Sequence, residues 1–129
     1  GIWIKSILTQ SPLNIFGDGL QIRDLTYVED LVDILLKSAL EEKCHGQTFN
    51  IGGESITLKD LAHIFKDMNP TCEIQYKAFP SDLKSIDIGS YEANDAKIRS
   101  YLNWKPNFSL REGLGKTIQY YEEFISHYI

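Results

Sequence analysis

The chain has 129 residues and a mass of 14.8 kDa, with 43% hydrophobic and 24% charged residues. That is enough apolar material for one core of the usual ~100–200 residue size, and it lies far from the composition that keeps chains disordered. A net charge of -5 and a pI near 5.1 exclude a broad basic face for nucleic acid or anionic membrane, so any bound anion has to be gripped locally. Neither a signal-peptide pattern nor an apolar run of ~18 residues is present, and Cys44 and Cys72 lack Cys-x-x-Cys spacing, which reads as a cytoplasmic, soluble protein with free thiols.

In chain order, "GIWIKSILTQ" places Ile2, Ile4, Ile7 and Leu8 near helical spacing with no capping residue before them, like a helix entered partway. "LNIF", residues 13 to 16, predicts a short strand, and "GDG" after it predicts a tight hairpin whose return strand covers Gln21 to Tyr27. Val28, Leu31, Val32, Leu35, Leu36, Ala39 and Leu40 then predict a helix with one buried face. Glu29 and Asp30 suit the positive end of its dipole, and Gly46 lies beyond its end.

"QTFNIGG", residues 47 to 53, predicts a strand, and Thr57 with Asp60 predicts a cap for a helix carrying Leu58, Leu61, Ala62, Phe65 and Met68. "CEIQYKAF", residues 72 to 79, alternates like a strand. Residues 80 to 91 form a loop with room for a short strand at 86–88. Asn94 predicts a cap for a short helix bearing Ile98, Tyr101 and Leu102, and Ser109 with Glu112 is a capping box for a last helix through Ile125. The alternation gives a mixed α/β architecture, although strands this few and short need more sheet partners than the chain supplies.

No Gly-x-Gly-x-x-Gly cluster links a strand to a helix, so nothing in the chain resembles a dinucleotide pyrophosphate cradle, and "GDG" and "IGG" read as turns. Tyr101 and Lys105 have Tyr-x-x-x-Lys spacing, but Lys105 precedes Pro106 and Tyr101 fits an apolar stripe, so that pair is read as structural. The three histidines are scattered and give no metal pattern. Arg23, in "LQIRDLTYV", offers a fork of donors from a strand face, with Asp24 on the opposite face. A phosphate or carboxylate of a ligand and a neighbouring acid are equally good partners on spacing alone. Lys84 in the following loop reads by itself as an exposed lysine.

Three stretches, "IFGDGLQIRDLTYVEDLVDILL", "GQTFNIGG" with "ITLKDLA", and "IDIGSYEANDAKIRSYLNWKPNFSLREGLGKTIQYY", together resemble the C-terminal, substrate-binding part of extended short-chain dehydrogenase/reductases. The resemblance is to the NAD-dependent nucleotide-sugar epimerase/dehydratase family that includes UDP-galactose 4-epimerase, and it runs nearly end to end. It implies a mixed α/β segment, residues 1 to 129, that contributes the last strand ("TFNIG") and a covering helix to a parent Rossmann sheet. The NAD-binding domain and its catalytic Tyr-x-x-x-Lys would lie outside this chain, in a homodimeric parent.

The resemblance further implies a nucleotide-diphosphate sugar as ligand. Arg23 would contact its diphosphate, and Asn14, Ile15 and Phe16 would border the base. Lys84 would stand where the family often has a second diphosphate arginine, ahead of Asp87, and Tyr91 lies near the closing side of the pocket. By itself the segment would be inactive in hydride transfer, isomerisation or dehydration. A stand-alone nucleotide-sugar-binding or regulatory module is the alternative.

Overall fold

The computed structural model describes residues 1–82 and 86–128. Helix α1 (Ile2–Leu8) leads into strand β1 (Leu13–Phe16), and strand β2 (Ile22–Leu25) runs directly into helix α2 (Val28–Leu40). Strand β3 (Glu54–Thr57) abuts helix α3 (Leu58–Met68), and strand β4 (Ile74–Lys77), helix α4 (Ala96–Leu102) and helix α5 (Leu110–Phe124) complete the order.

The strands form two pairs. β1 lies parallel to β4, with Leu13 opposite Ile74 and Phe16 opposite Lys77, while β2 is antiparallel to β3, with Ile22 opposite Thr57 and Leu25 opposite Glu54. The expected hairpin between β1 and β2 is therefore not formed. Gly17 and Gly19 do take the left-handed φ of +72° and +73° that favours glycine. Their turn, however, carries the chain across the start of α3, where the amides of Lys59 and Leu58 donate to the carbonyls of Gly19 (2.9 Å) and Gln21 (3.0 Å). β2 leaves that point aligned with β3, and the β1 ladder goes to β4.

One core lies between α1, β1 and α3. Ile4 and Ile7, Leu13 and Ile15, and Leu61, Ala62 and Phe65 pack together with Cys72 and Leu110. The alternation of β1 is clean, since Leu13 and Ile15 are buried while Asn14 and Phe16 are not. Thr57 caps α3 by accepting from the Asp60 amide, and Ser109 with Glu112 forms the complete capping box of α5.

Two expectations about α2 and its successor change. Helix α2 forms as its period requires, but its apolar stripe is not buried: Leu35, Leu36 and Leu40 are 54%, 63% and 85% exposed. Only Ile34 and Asp30 go inside, because the helix meets the rest of the described chain through the side facing Ile98 and Trp104. Residues 47–53 join no ladder, and the strand in this region is shifted to Glu54–Thr57, where β2 offers a partner. Phe49 and Ile51 pack instead against the Ile34, Ile98 and Trp104 cluster, and Lys97 Nζ donates to the Thr48 carbonyl at 2.9 Å. Strand β4 is shorter than the 72–79 alternation suggested, and no strand forms at 86–88.

Asn94 starts α4 by accepting from the Ala96 amide, although the cap residue itself is Asp95, whose carboxylate also pairs with Arg99 at 2.7 Å. Tyr101 meets Phe49 edge to face at 5.2 Å and Lys105 lies outside the helix, consistent with the structural reading of that pair.

Candidate functional site

The candidate site grows from the end of β1, the turn that follows, and the first residues of β2. Because Leu13 and Ile15 face the core, the strand pleat turns Asn14 and Phe16 the other way. Phe16 is 36% exposed and lies 6.1 Å, ring to ring, from Phe79. Ile15 is 1% exposed as a whole residue, so neither its side chain nor its backbone is open to a ligand here, and the expected contact falls to its neighbours Asn14 and Phe16. Asn14 receives the Trp3 indole N–H on its backbone carbonyl at 3.1 Å, which ties α1 to this edge.

Two amide oxygens here, Asn14 Oδ1 and Gln21 Oε1, are buried and have no hydrogen-bond partner among the described residues. Buried polar atoms are nearly always paired, so an unpaired acceptor has unmet demand for a donor. The Gln21 amide lies beside Gly17, where an added Cβ would sit 3.8 Å from Nε2 and 3.9 Å from the Phe79 ring. Gln21 was not among the residues singled out from sequence. The available signal was its place two residues before Arg23, on the same face by strand alternation.

Arg23 is half-buried and already engaged. Its Nη1 donates to the carbonyl of Ile22 at 2.7 Å and to the carbonyl of Gly89, and its Nη2 stands 3.7 Å from Asp87 Oδ1. The neighbouring acid considered at the outset is thus present, as a loose contact on the second nitrogen. Residues 87–93 run beside β2 as a strap. The Ile22 amide donates to Ser90 Oγ (3.0 Å), the Tyr91 amide donates to the Ile22 carbonyl (3.0 Å), and Asp24 Oδ2 accepts from the Ala93 amide (2.8 Å). Arg23 and Asp24, on opposite faces of one strand, hold the two ends of this segment. Tyr91 is 50% exposed at its middle. Lys84 lies outside the described residues.

A separate cavity of about 690 Å³ opens between the β2–α2 junction and α5, lined in part by Tyr27, Phe108, Gly113, Lys116 and Tyr121. Arg23 and Asn14 do not line it. Its two cations are paired, Lys116 3.6 Å from Glu29 and Arg99 2.7 Å from Asp95, and its acids Asp30 and Glu54 accept from amides at the start of α5.

The glycine turns do not cradle a dinucleotide. A Cβ on Gly53 would fall 1.9 Å from the Leu25 carbonyl oxygen, and one on Gly19 would fall 2.8 Å from Ile15, so the space each glycine leaves is taken by the chain itself. Neither turn delivers amides to a free helix N-terminus, since the start of α3 is closed by Gly19, Gln21 and Thr57. These two turns therefore offer no pyrophosphate cradle for NAD. The described residues contain no group of three or more metal-ligating side chains. Cys44 and Cys72 are buried free thiols, and burial pushes the Cys72 thiol above its usual range, away from reactivity. No described helix is long and apolar enough to cross a membrane.

Comparison with known proteins places this architecture. The profile described as "NAD dependent epimerase/dehydratase family" matches residues 1–52. UDP-glucuronic acid decarboxylase 1 of Arabidopsis thaliana is 33% identical over 90% of this chain and 26% of its own length. A dTDP-glucose 4,6-dehydratase of Neisseria meningitidis is 32% identical over 93% of this chain and 36% of its own. Among solved structures, Pal from Bacillus thuringiensis superposes with a TM-score of 0.82 at 34% identity, covering 95% of this chain and 38% of that one. The UDP-glucose 4-epimerase of Thermotoga maritima, determined with UDP-glucose, superposes at 0.81 with 31% identity, covering 96% of this chain and 39% of that one. The chain thus spans about a quarter to two fifths of the length of the relatives it matches. Along most of its length in sequence, and in fold, the chain is similar to members of the NAD-dependent epimerase/dehydratase family, whose own profile matches residues 1–52.

Proposed function

We propose that this chain is the nucleotide-diphosphate-sugar-binding segment of an NAD-dependent sugar-nucleotide enzyme. The observation that carries the reading is the arrangement around the turn at 17–21. Two buried acceptors without partners among the described residues, Asn14 Oδ1 and Gln21 Oε1, precede an arginine whose second nitrogen stands in loose contact with Asp87. A base or ribose supplies N–H and O–H donors for the amides, and a diphosphate supplies the anionic oxygens that a guanidinium holds best. Asn14 and Phe16 then border the base, with the buried Ile15 holding them in place. Tyr91 approaches from the loop side, and Lys84 stays a candidate from the sequence alone. The Thermotoga relative was determined with UDP-glucose, which fits a ligand of this class.

NAD would be held outside these residues, where it supplies the hydride chemistry of the whole protein. The uncovered stripe of α2, with Leu35, Leu36 and Leu40, suits a helix that packs against a larger partner domain, and the relatives have the length to provide one. Decarboxylase, dehydratase and epimerase relatives match at 33%, 32% and 29% identity. Their similarity therefore favours the shared ligand over any one of the three reactions. In this reading the chain alone binds the ligand and turns nothing over.

Calorimetric titration of the chain with uridine diphosphate tests the reading. Arg23→Ala is expected to weaken binding at least about tenfold, the scale of one charge-assisted hydrogen bond. Unchanged binding in that variant, with its fold intact, reduces Arg23 to the structural partner of Asp87 and Gly89.

A further inference from the structure

The cavity between the β2–α2 junction and α5 takes no part in the site around Arg23. Its volume of about 690 Å³ lies within the ~300–1,000 Å³ of sites that hold small organic ligands. Two aromatic pairs contribute to its lining, each meeting edge to face: Tyr27 with Phe108 at 5.0 Å between ring centres, and Tyr120 with Tyr121 at 5.5 Å. Rings of this kind favour a flat apolar body laid against them.

The polar groups of the lining differ in what they have left to offer. Asp30 and Glu54 already accept backbone amides, from Asn107, Phe108 and Leu110. The Thr117 hydroxyl donates to the Gly113 carbonyl at 2.7 Å, and Arg99 is held by Asp95 through two nitrogens at 2.7 Å. Lys116 is different. Its ammonium has three N–H donors, and Glu29 Oε1, which already accepts from the Tyr27 hydroxyl at 3.0 Å, stands 3.6 Å away, beyond hydrogen-bond length. The same Nζ lies 5.1 Å from the centre of the Phe108 ring and 6.0 Å from that of Tyr27, so the cation borders the aromatic wall. A single ammonium with donors to spare, beside such a wall, matches one negative charge on a flat apolar molecule.

We propose that this cavity is a second ligand site, for a small planar aromatic carboxylate whose ring packs against Tyr27, Phe108 and Tyr121 and whose carboxylate accepts from Lys116 Nζ. The site is independent of the anion-binding role given to Arg23, which does not line it. A diphosphate fits it poorly, because its several charges would face one ammonium together with the carboxylates of Asp30 and Glu54.

The test titrates naphthoate, with neutral naphthylmethanol as its control, into the 129-residue chain, its Lys116→Gln variant and its Thr117→Trp variant, which fills the cavity. Amide shifts are read by nuclear magnetic resonance. Naphthoate is expected to give saturable shifts in the wild-type chain, centred on Tyr27, Phe108, Gly113 and Thr117. Lys116→Gln weakens naphthoate about three- to tenfold, the scale of one partly solvated charge-assisted hydrogen bond, and leaves the alcohol unchanged. Thr117→Trp removes both. The Lys116 side chain is 45% exposed, so its variant keeps the fold and carries the test if Thr117→Trp does not fold. Equal naphthoate affinity in wild type and Lys116→Gln, or alcohol binding as tight as naphthoate, overturns the proposal. Shifts centred on Leu35, Leu36 and Leu40 of α2, or no saturation by about 10 mM naphthoate, overturn it as well.

Discussion

Asp30, at the start of α2, accepts the Asn107 backbone amide at 2.7 Å and its side-chain amide at 3.1 Å, joining residues 77 positions apart. The Phe108 amide adds a third bond at 3.3 Å, and Asp30 is only 1% exposed. A buried carboxylate with this set of donors fixes where α5 begins relative to β2 and α2. Asp30→Ala strands those donors and is expected to lower stability by about 3 kcal/mol, with Asp30→Asn intermediate because it keeps one acceptor. Urea unfolding measures both, and equal stability of all three proteins would show that the loop repairs itself.

Gly53 governs the other side of that junction. Its missing Cβ would meet the Leu25 carbonyl oxygen at 1.9 Å and the Thr26 amide nitrogen at 2.7 Å, both backbone atoms that cannot swing away. Gly53→Ala is expected to part β2 from β3, where Leu25 faces Glu54, and to cost more than about 3 kcal/mol, the upper end of core overpacking. Since β2 carries Arg23, uridine diphosphate binding falls with it. Thermal melting of Gly53→Ala within a degree of wild type contradicts this.

The capping box of α5 titrates. Hydrogen bonds from the Ser109 hydroxyl and then its amide to Glu112 lower the Glu112 carboxyl below its ordinary value of 4.5, against a small opposing effect of burial. A folded-state value below the unfolded one means that the stabilisation is present above the ordinary carboxylate range and is lost as pH falls through the lowered value. Glu112→Gln is therefore expected to lose less of its melting temperature between pH 7 and about pH 3 than the wild type. A larger acid loss in the variant would reverse the sign and refute the account of the cap.

How far the sequence leads depends on how local each signal is. Helices α3 and α5 are legible because Thr57 with Asp60 and Ser109 with Glu112 act within one turn, and α2 because its period runs for 13 residues. The pairing of β1 with β4 is not legible, since about 60 residues separate Leu13 from Ile74, and nothing in either strand names the other. "GDG" carries the local signature of a hairpin, and the left-handed glycines are present, but the contact with α3 decides the direction of exit. The same limit hid the burial of Asp30, which as a first-turn acid has a sufficient local explanation in the helix dipole. Its partners appear only when α5 comes back to meet it. Arg23 was legible as an anion-binding candidate, and its hold on Gly89 and Asp87 was not, because the strap follows no regular pattern.

The central claim is that a nucleotide-diphosphate sugar is bound at the β1–β2 turn and the strap, and nuclear magnetic resonance titration of the isotope-labelled chain with UDP-glucose tests it most directly. The account predicts that amide and side-chain shifts concentrate at Asn14 to Phe16, Gln21, Arg23 and residues 87–91, and that Arg23→Ala moves their titration midpoint at least about tenfold higher in ligand. Shifts centred instead on Tyr27, Phe108, Gly113 and Tyr121, around the cavity beside α5, or no shifts at millimolar ligand, would contradict it.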